Sequence, residues 1–242
     1  MHKSYWRRNS VNDISPEPGF EAIRCLSVPM AEKLATYAEW AAHYEPHYEL
    51  LYDELIEQLG AADATEYAPR KGSPFPPFHL PDTDGRLVHS REILEGGPLV
   101  LSFNRGHWCS YCRLELLALE EIYTEVKGLG GTIISITPQR APAANKLREI
   151  CELTFPILCD VDNCYTLECG LMMSITPAID SVYQKTGIDL AADQGNGGLF
   201  LPMPATYVVG RDGIIHADYV QPDFRTRMAP NDILAALREI SN

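Results

Sequence analysis

Nonpolar side chains recur three and four positions apart in "SVPMAEKLATYAEWAAHYE" and again in "PHYELLYDELIEQLG". That spacing predicts two helices, split at Pro46 because a proline ring cannot sit inside a helix. Tyr48, Leu51, Leu55 and Leu59 form one stripe on the second helix, of the kind that packs as core or as a subunit contact. In "ATEYAPRKGSPFPP" the period is lost, and its Pro and Gly read as a linker. Beyond it, apolar runs of strand length alternate with amphipathic stretches. "PLVLSFNRG" predicts a strand, and "RLELLALEEIYTEVKGLGG" a helix with Leu114, Leu117, Ile122, Val126 and Leu129 on one face and Gly128 and Gly130 as stop signals. "GTIISIT" is a strand, "PAANKLREICEL" a helix and "FPILCD" a strand. Residues 160–200 show no clear period, include the Gly-rich "DQGNGG", and read as an irregular insert. "ATYVVG" and "IIHADYV" around "RDG" predict a hairpin, and "PNDILAALREIS" a closing helix with Pro230 and Asn231 at its start.

The alternating half implies parallel strands joined by right-handed crossovers, and the hairpin adds antiparallel ones. The expected fold is therefore α/β, a mixed central sheet flanked by helices. A helical N-terminal extension over residues 1–68 precedes a main domain over residues 69–242.

Composition narrows the partners. The formal charge of -13 repels phosphate backbones and anionic lipid, so neither nucleic acid nor a membrane surface is an expected partner. No apolar run reaches the roughly 18 residues of a membrane helix. Arg7 and Arg8 resemble a twin-arginine export signal, but no apolar region follows them, and the segment fails as a signal peptide. A cytoplasmic location is expected, and seven cysteines, an odd number, suit a reducing compartment. His43 and His47 stand four apart with Pro46 between them and read as a surface pair.

In "FNRGHWCSYCRLEL", Cys109 and Cys112 fall where a strand gives way to a helix. Unpaired N–H groups and the helix dipole stabilise a thiolate there, and a separation of three residues brings the two sulfurs within disulfide reach. Three readings remain at this level. A zinc site needs about four ligands, yet Cys25, Cys151, Cys159, Cys164 and Cys169 include no second such pair, and His107 is too near in sequence to complete a tetrahedron. Two inert buried cysteines are the second reading. A dithiol/disulfide switch, with no metal and no cofactor, is the third and best supported by its strand-to-helix setting.

The stretch "GSPFPPFHLPDTDGRLVHSREILEGGPLVLSFNRGHWCSYCRLEL", with "TFPILCD" and "PATYVVGRDGIIHADYV", resembles the alkyl hydroperoxide reductase / thiol-specific antioxidant (AhpC/TSA) family. The resemblance runs from about residue 72 to 240 and is nearest the peroxiredoxin-like branch with an RGxWCxYC motif. It implies a thioredoxin-like fold and a thiol-based antioxidant oxidoreductase. The motif departs from the family's P-x-x-x-T-x-x-C, since its cysteine falls on Cys112, its threonine on Cys109 and its proline on Arg105. The family's second arginine falls on Pro204. Trp108, Cys109 and Cys112 instead match the W-C-x-x-C of thioredoxins.

Two mechanisms follow from that hybrid. In the peroxidase reading Cys112 attacks a peroxide, Cys109 closes the disulfide, and a thioredoxin-like or glutathione-type donor reduces it. Arg105 supplies positive charge to the thiolate. In the thiol-disulfide oxidoreductase reading Cys109 is the more exposed nucleophile and Cys112 resolves. A non-enzymatic redox-sensing or binding module is a third class. The apolar stripe of the second helix points to a homodimer, as members of the family often form, and the resemblance implies a cis-proline at Pro204 lying against the pair. Trp108 shields the pair or simply packs; Cys151 and Cys159, among apolar neighbours, are expected to be buried; "QGNGG" is expected to be a flexible loop near the active site.

Overall fold

A computed structural model describes residues 19–241, so Arg7 and Arg8 lie outside the described residues. A short α1 (Phe20–Arg24) leads into α2 (Met30–Tyr44) and α3 (Pro46–Ala61), the two predicted helices. Pro46 occupies the first turn of α3, where a missing N–H leaves no hydrogen bond unmade. The apolar stripe of α3 turns inward. Tyr52, Leu55 and Leu59 are buried, with Tyr48 and Leu51 half-buried against the same core, so this face is core and not a subunit contact.

The predicted linker is a packed connection. Ala68 and Phe75 are buried, and backbone hydrogen bonds run from Gly72 N to Ile215 O (2.8 Å), Phe75 N to Gly213 O (2.9 Å) and Ile215 N to Ser73 O (3.0 Å). After it come a small hairpin of β1 (His79–Pro81) and β2 (Leu87–His89) and then α4 (Ser90–Gly96), none of them predicted. Both strands are three residues long and lie in no continuous apolar run, unlike the equally short strand read in "FPILCD". The alternating region follows as β3 (Leu99–Phe103), α5 (Ser110–Gly128), β4 (Thr132–Thr137), α6 (Ala141–Ile150) and β5 (Ile157–Cys159).

Residues 160–200 are built of short regular elements and not of irregular chain. They hold α7 (Cys164–Glu168), β6 (Met172–Ser174), α8 (Pro177–Lys185), α9 (Leu190–Gln194) and the start of β7 (Phe200–Pro202). The helices are at most nine residues long, below the roughly 11-residue window in which a helical period shows. Side-chain caps hold them. Thr176 Oγ1 accepts from Ile179 N, Asp189 Oδ1 from Ala192 N, and the Asp160 carboxylate from the N–H groups of Tyr165 and Thr166. The predicted hairpin, β8 (Ala205–Val209) with β9 (Ile215–Val220), and α10 (Pro230–Ser241) complete the chain.

The main sheet runs β5-β4-β3-β8-β9. β3 pairs in parallel with β4 from Leu99↔Thr132 to Phe103↔Ile136, and antiparallel with β8 from Leu99↔Val209 to Phe103↔Ala205. β3 and β8 are buried along their full length, the reason their sequences read as unbroken apolar runs. Alternate residues feed two cores. Leu99, Leu101, Phe103, Ile134, Ile136, Ala205, Tyr207 and Val209 join the N-terminal helices and α8, while Val100, Ile133 and Val208 join α5, α6 and α10. The consequence for function is that α2 and α3 lie over the C-terminal end of β3, where the cysteine pair sits.

Candidate active site

The site is made where β3 turns into α5. Gly106 takes φ +129°, and a Cβ there would lie 2.5 Å from the Gln139 side chain. Gln139 Oε1 accepts the His107 N–H at 2.9 Å, its Nε2 lies 2.8 Å from His107 Nδ1, and it also donates to Asp193 at 3.0 Å. Burial pulls the His107 imidazole below its ordinary value, against the opposing charge of Asp193. Asp193 lies in α9, immediately ahead of the Gly-rich segment. Gly106→Ala is expected to destabilise the protein by about 1–3 kcal/mol, because it combines a disfavoured φ with a collision against Gln139. A urea midpoint equal to that of the unsubstituted chain would refute this.

Cys109 caps α5, one turn earlier than the sequence pattern places the helix start. Its backbone is extended, and its sulfur accepts the Cys112 N–H at 3.3 Å. Arg105 Nη2 donates to Cys109 Sγ at 3.2 Å. Cys112 Sγ receives the Arg105 N–H and Arg227 Nη2, each at 3.5 Å. Burial alone would push the Cys109 thiol up. The hydrogen bond from the Cys112 thiol, the Arg105 and Arg227 charges and the Cys112 N–H overcome it and hold Cys109 down to about 5. Cys112 goes the other way, raised well above the ordinary thiol value by burial, by its own bond to Cys109 and by the Cys109 charge. These surroundings favour the charge on Cys109 and the proton on Cys112.

Both cysteines are buried, Cys109 to 2% exposure and Cys112 to 0%, so neither stands open to solvent. The cover is aromatic. Arg105 Cζ stands 4.2 Å from the Phe224 ring centroid and 5.5 Å from those of Tyr52 and Trp108. Tyr52 OH donates to Tyr48 OH and shares a second hydrogen bond with Tyr183 OH, both at 2.8 Å. Trp108 is itself buried, its ring 4.9 Å from that of Tyr183. The elements α3 and α8 thus close the site, one preceding the cysteine pair in sequence and the other following it.

A second arginine, Arg227, does reach the pair. Its Nε donates to Glu115 Oε2 at 2.6 Å, and its Nη1 to the Phe224 and Thr226 carbonyls. The other Glu115 oxygen accepts from Thr206 Oγ1 at 2.8 Å and Ser102 Oγ at 3.2 Å. Burial pushes the Glu115 carboxyl up, and Arg227 opposes that. Arg225 fastens this segment to α3 through Asp53 (2.8 Å) and Glu49 (3.2 Å). Pro204 is buried just ahead of β8, whose Ala205 pairs with Phe103, so it lies beside the strand end that carries Arg105.

Sequence reading did not find Arg227, Glu115, Tyr52, Tyr183, Phe224 or Gln139. Only Glu115 leaves a local signal, an acidic residue one turn after Cys112 on a helix face otherwise apolar. Of the remaining cysteines, Cys151, Cys159 and Cys169 are buried and Cys25 and Cys164 exposed. Burial raises Cys151 and Cys159 to about 11 and Cys169 to about 12. Among the described residues no three His, Cys, Asp or Glu side chains gather at metal-binding distance, and no helix is long and apolar enough to cross a membrane.

The model of the AhpC/TSA family matches residues 71–218. No curated protein matches the chain. Among solved structures, peroxidoxin BcpB from Mycobacterium tuberculosis superposes with a TM-score of 0.55 at 19% identity, over 71% of this chain and 97% of that one. A cysteine-to-serine mutant of peroxiredoxin 6 from Arenicola marina gives 0.56 at 16%, over 71% and 73%. A yeast mitochondrial 1-Cys peroxiredoxin, described as resolved through glutathione/thioredoxin systems, gives 0.52 at 15%, over 70% and 75%. At these identities the likeness is one of fold, the thioredoxin-like fold expected from the sequence.

Proposed function

We propose, from the premise that this chain belongs to the AhpC/TSA family, that it is a thiol peroxidase in which Cys109 attacks and Cys112 resolves. The observation that carries the order of attack is the Arg105 Nη2 to Cys109 Sγ contact of 3.2 Å on a helix-capping sulfur. This reverses the order that alignment of the motif on Cys112 suggests.

The Cys109 thiolate attacks one oxygen of a hydroperoxide and the O–O bond breaks. Cys109 becomes a sulfenic acid, and the departing alkoxide or hydroxide takes a proton from solvent. Loss of the Cys109 charge removes a cause that holds Cys112 protonated, while Arg227 remains 3.5 Å from it. Cys112 then attacks the sulfenic sulfur, water leaves and the disulfide forms. Two thiols from a thioredoxin-like or glutathione-type donor restore the pair. The proposal includes a cytoplasmic setting, where thiols are kept reduced. It also includes a homodimer, which would have to use a face other than the α3 stripe; exposed Leu50 lies on the opposite side of that helix.

A second reading, thiol-disulfide oxidoreductase, is favoured by the W-C-x-x-C match and uses the same first nucleophile. Peroxide kinetics separate the two. Reduced protein mixed with hydrogen peroxide is expected to lose thiol far faster than free cysteine at pH 6, with a rate level from pH 6 to 8 and falling through about pH 5 as Cys109 is protonated. Reaction no faster than free cysteine, with rapid exchange into a disulfide substrate, would replace the peroxidase by the oxidoreductase.

A further inference from the structure

Two buried arginines flank the cysteine pair, and their charges are balanced differently. Arg227 has Glu115 at 2.6 Å. Arg105 is 1% exposed and has no carboxylate at ion-pair distance among the described residues. Its Nη2 is on Cys109 Sγ, its guanidinium faces the Phe224, Tyr52 and Trp108 rings, and its Nε and Nη1 have no hydrogen-bond partner. Aromatic faces attract a cation but do not neutralise it. The sulfur of Cys109 is therefore its one anionic neighbour.

A disulfide carries no charge. Closing Cys109 onto Cys112 would leave Arg105 buried with ring faces alone, and a buried charge stripped of its partner is costly. Arg227, held by Glu115, loses much less. The dithiol form is stabilised selectively, and a disulfide whose reduced form is stabilised is an oxidising one.

We infer that Arg105 poises the Cys109–Cys112 disulfide as a strongly oxidising, readily reduced bond, for which a low-molecular-weight monothiol of the glutathione type is a sufficient reductant. The inference rests on the dithiol/disulfide cycle proposed above and narrows what its reductant must be. In the net reaction the Cys109–Cys112 bond breaks and an S–S bond forms between two monothiols. Two electrons enter the pair. Of the two monothiol protons, one goes to Cys112 and the other to solvent, because Cys109 stays ionised against Arg105.

The test is equilibration of the full chain in graded glutathione/glutathione disulfide buffers, with thiols counted by alkylation and mass. For the unsubstituted chain the equilibrium constant for reduction is expected to rise about tenfold per pH unit from pH 6 to 8, reflecting the one released proton. Equal amounts of the oxidised chain and reduced thioredoxin are expected to finish with most of the disulfide on thioredoxin. Arg105→Met is expected to stabilise the disulfide by roughly 10- to 100-fold, the worth of a hydrogen bond to a charged group, and to flatten the pH dependence. A midpoint unchanged or moved toward the dithiol in Arg105→Met overturns the inference. So does a pH-independent midpoint in the unsubstituted chain, which decides the matter even if the variant does not fold. None of these readouts uses peroxide, so a failed peroxidase assay leaves them standing and identifies the peroxidase reading as the one at fault.

Discussion

Cys109→Ser is expected to abolish peroxide-dependent oxidation, with a loss of roughly three orders of magnitude or more, as removal of an attacking nucleophile produces. Cys112→Ser is expected to complete the first step and stop there, accumulating a sulfenic acid on Cys109. The asymmetry follows from charge. Cys109 is held at about 5 while Cys112 is pushed well above the ordinary thiol value, so serine at 109 removes the thiolate and serine at 112 removes the thiol that traps its product. Single-turnover kinetics, with a dimedone-type trap read by mass, distinguish the two variants. A sulfenic acid on Cys112 in Cys109→Ser, formed at an undiminished rate, would reverse the assignment.

Glu115→Ala is expected to cost about 3–5 kcal/mol of folding stability, because it leaves Arg227 buried and unpaired. That is a large share of the roughly 5–15 kcal/mol a domain has. The Arg227–Glu115 contact of 2.6 Å is almost fully shielded from solvent, and Thr206 and Ser102 would each lose an acceptor as well. The double variant Glu115→Leu with Arg227→Met removes both charges together and is expected to lose less than Glu115→Ala alone. Urea denaturation with unchanged slope measures both. A loss under about 1 kcal/mol in Glu115→Ala would mean that the pair is not buried as described.

The elements legible from sequence were those long enough to show a period, together with the short β5, which its apolar run "FPILCD" gave away. α2, α3, α5, α6 and α10 span 10 to 19 residues, and β3, β4 and β8 are apolar runs of five or six. Those lost were the three-residue strands β1, β2, β6 and β7 and the helices α7, α8 and α9, whose ends are set by single caps such as Thr176 and Asp189. The start of α5 was read late because Ser110, Tyr111 and Cys112 show no apolar spacing until they are seen against α2 and the end of β3. Within the site, Cys109, Cys112 and Arg105 were legible because one strand-to-helix turn holds them all. Arg227 was not. It lies in "PDFRTRMAP", which has no period, and reaches Cys112 from 115 residues away.

The sequence by itself determined that two sulfurs three residues apart meet a helix start at the end of an apolar strand, since spacing and period are local properties of a chain. It determined the alternation of strands and helices for the same reason. Only the tertiary structure decided which of the two sulfurs its surroundings favour as the thiolate. That choice depends on where Arg105 and Arg227 point, on Glu115 neutralising one of them, and on Tyr52 and Tyr183 meeting across 131 residues to shut water out. Electrostatic preference between two adjacent thiols is set by burial and by distances of a few ångströms to groups remote in sequence, which no local pattern encodes.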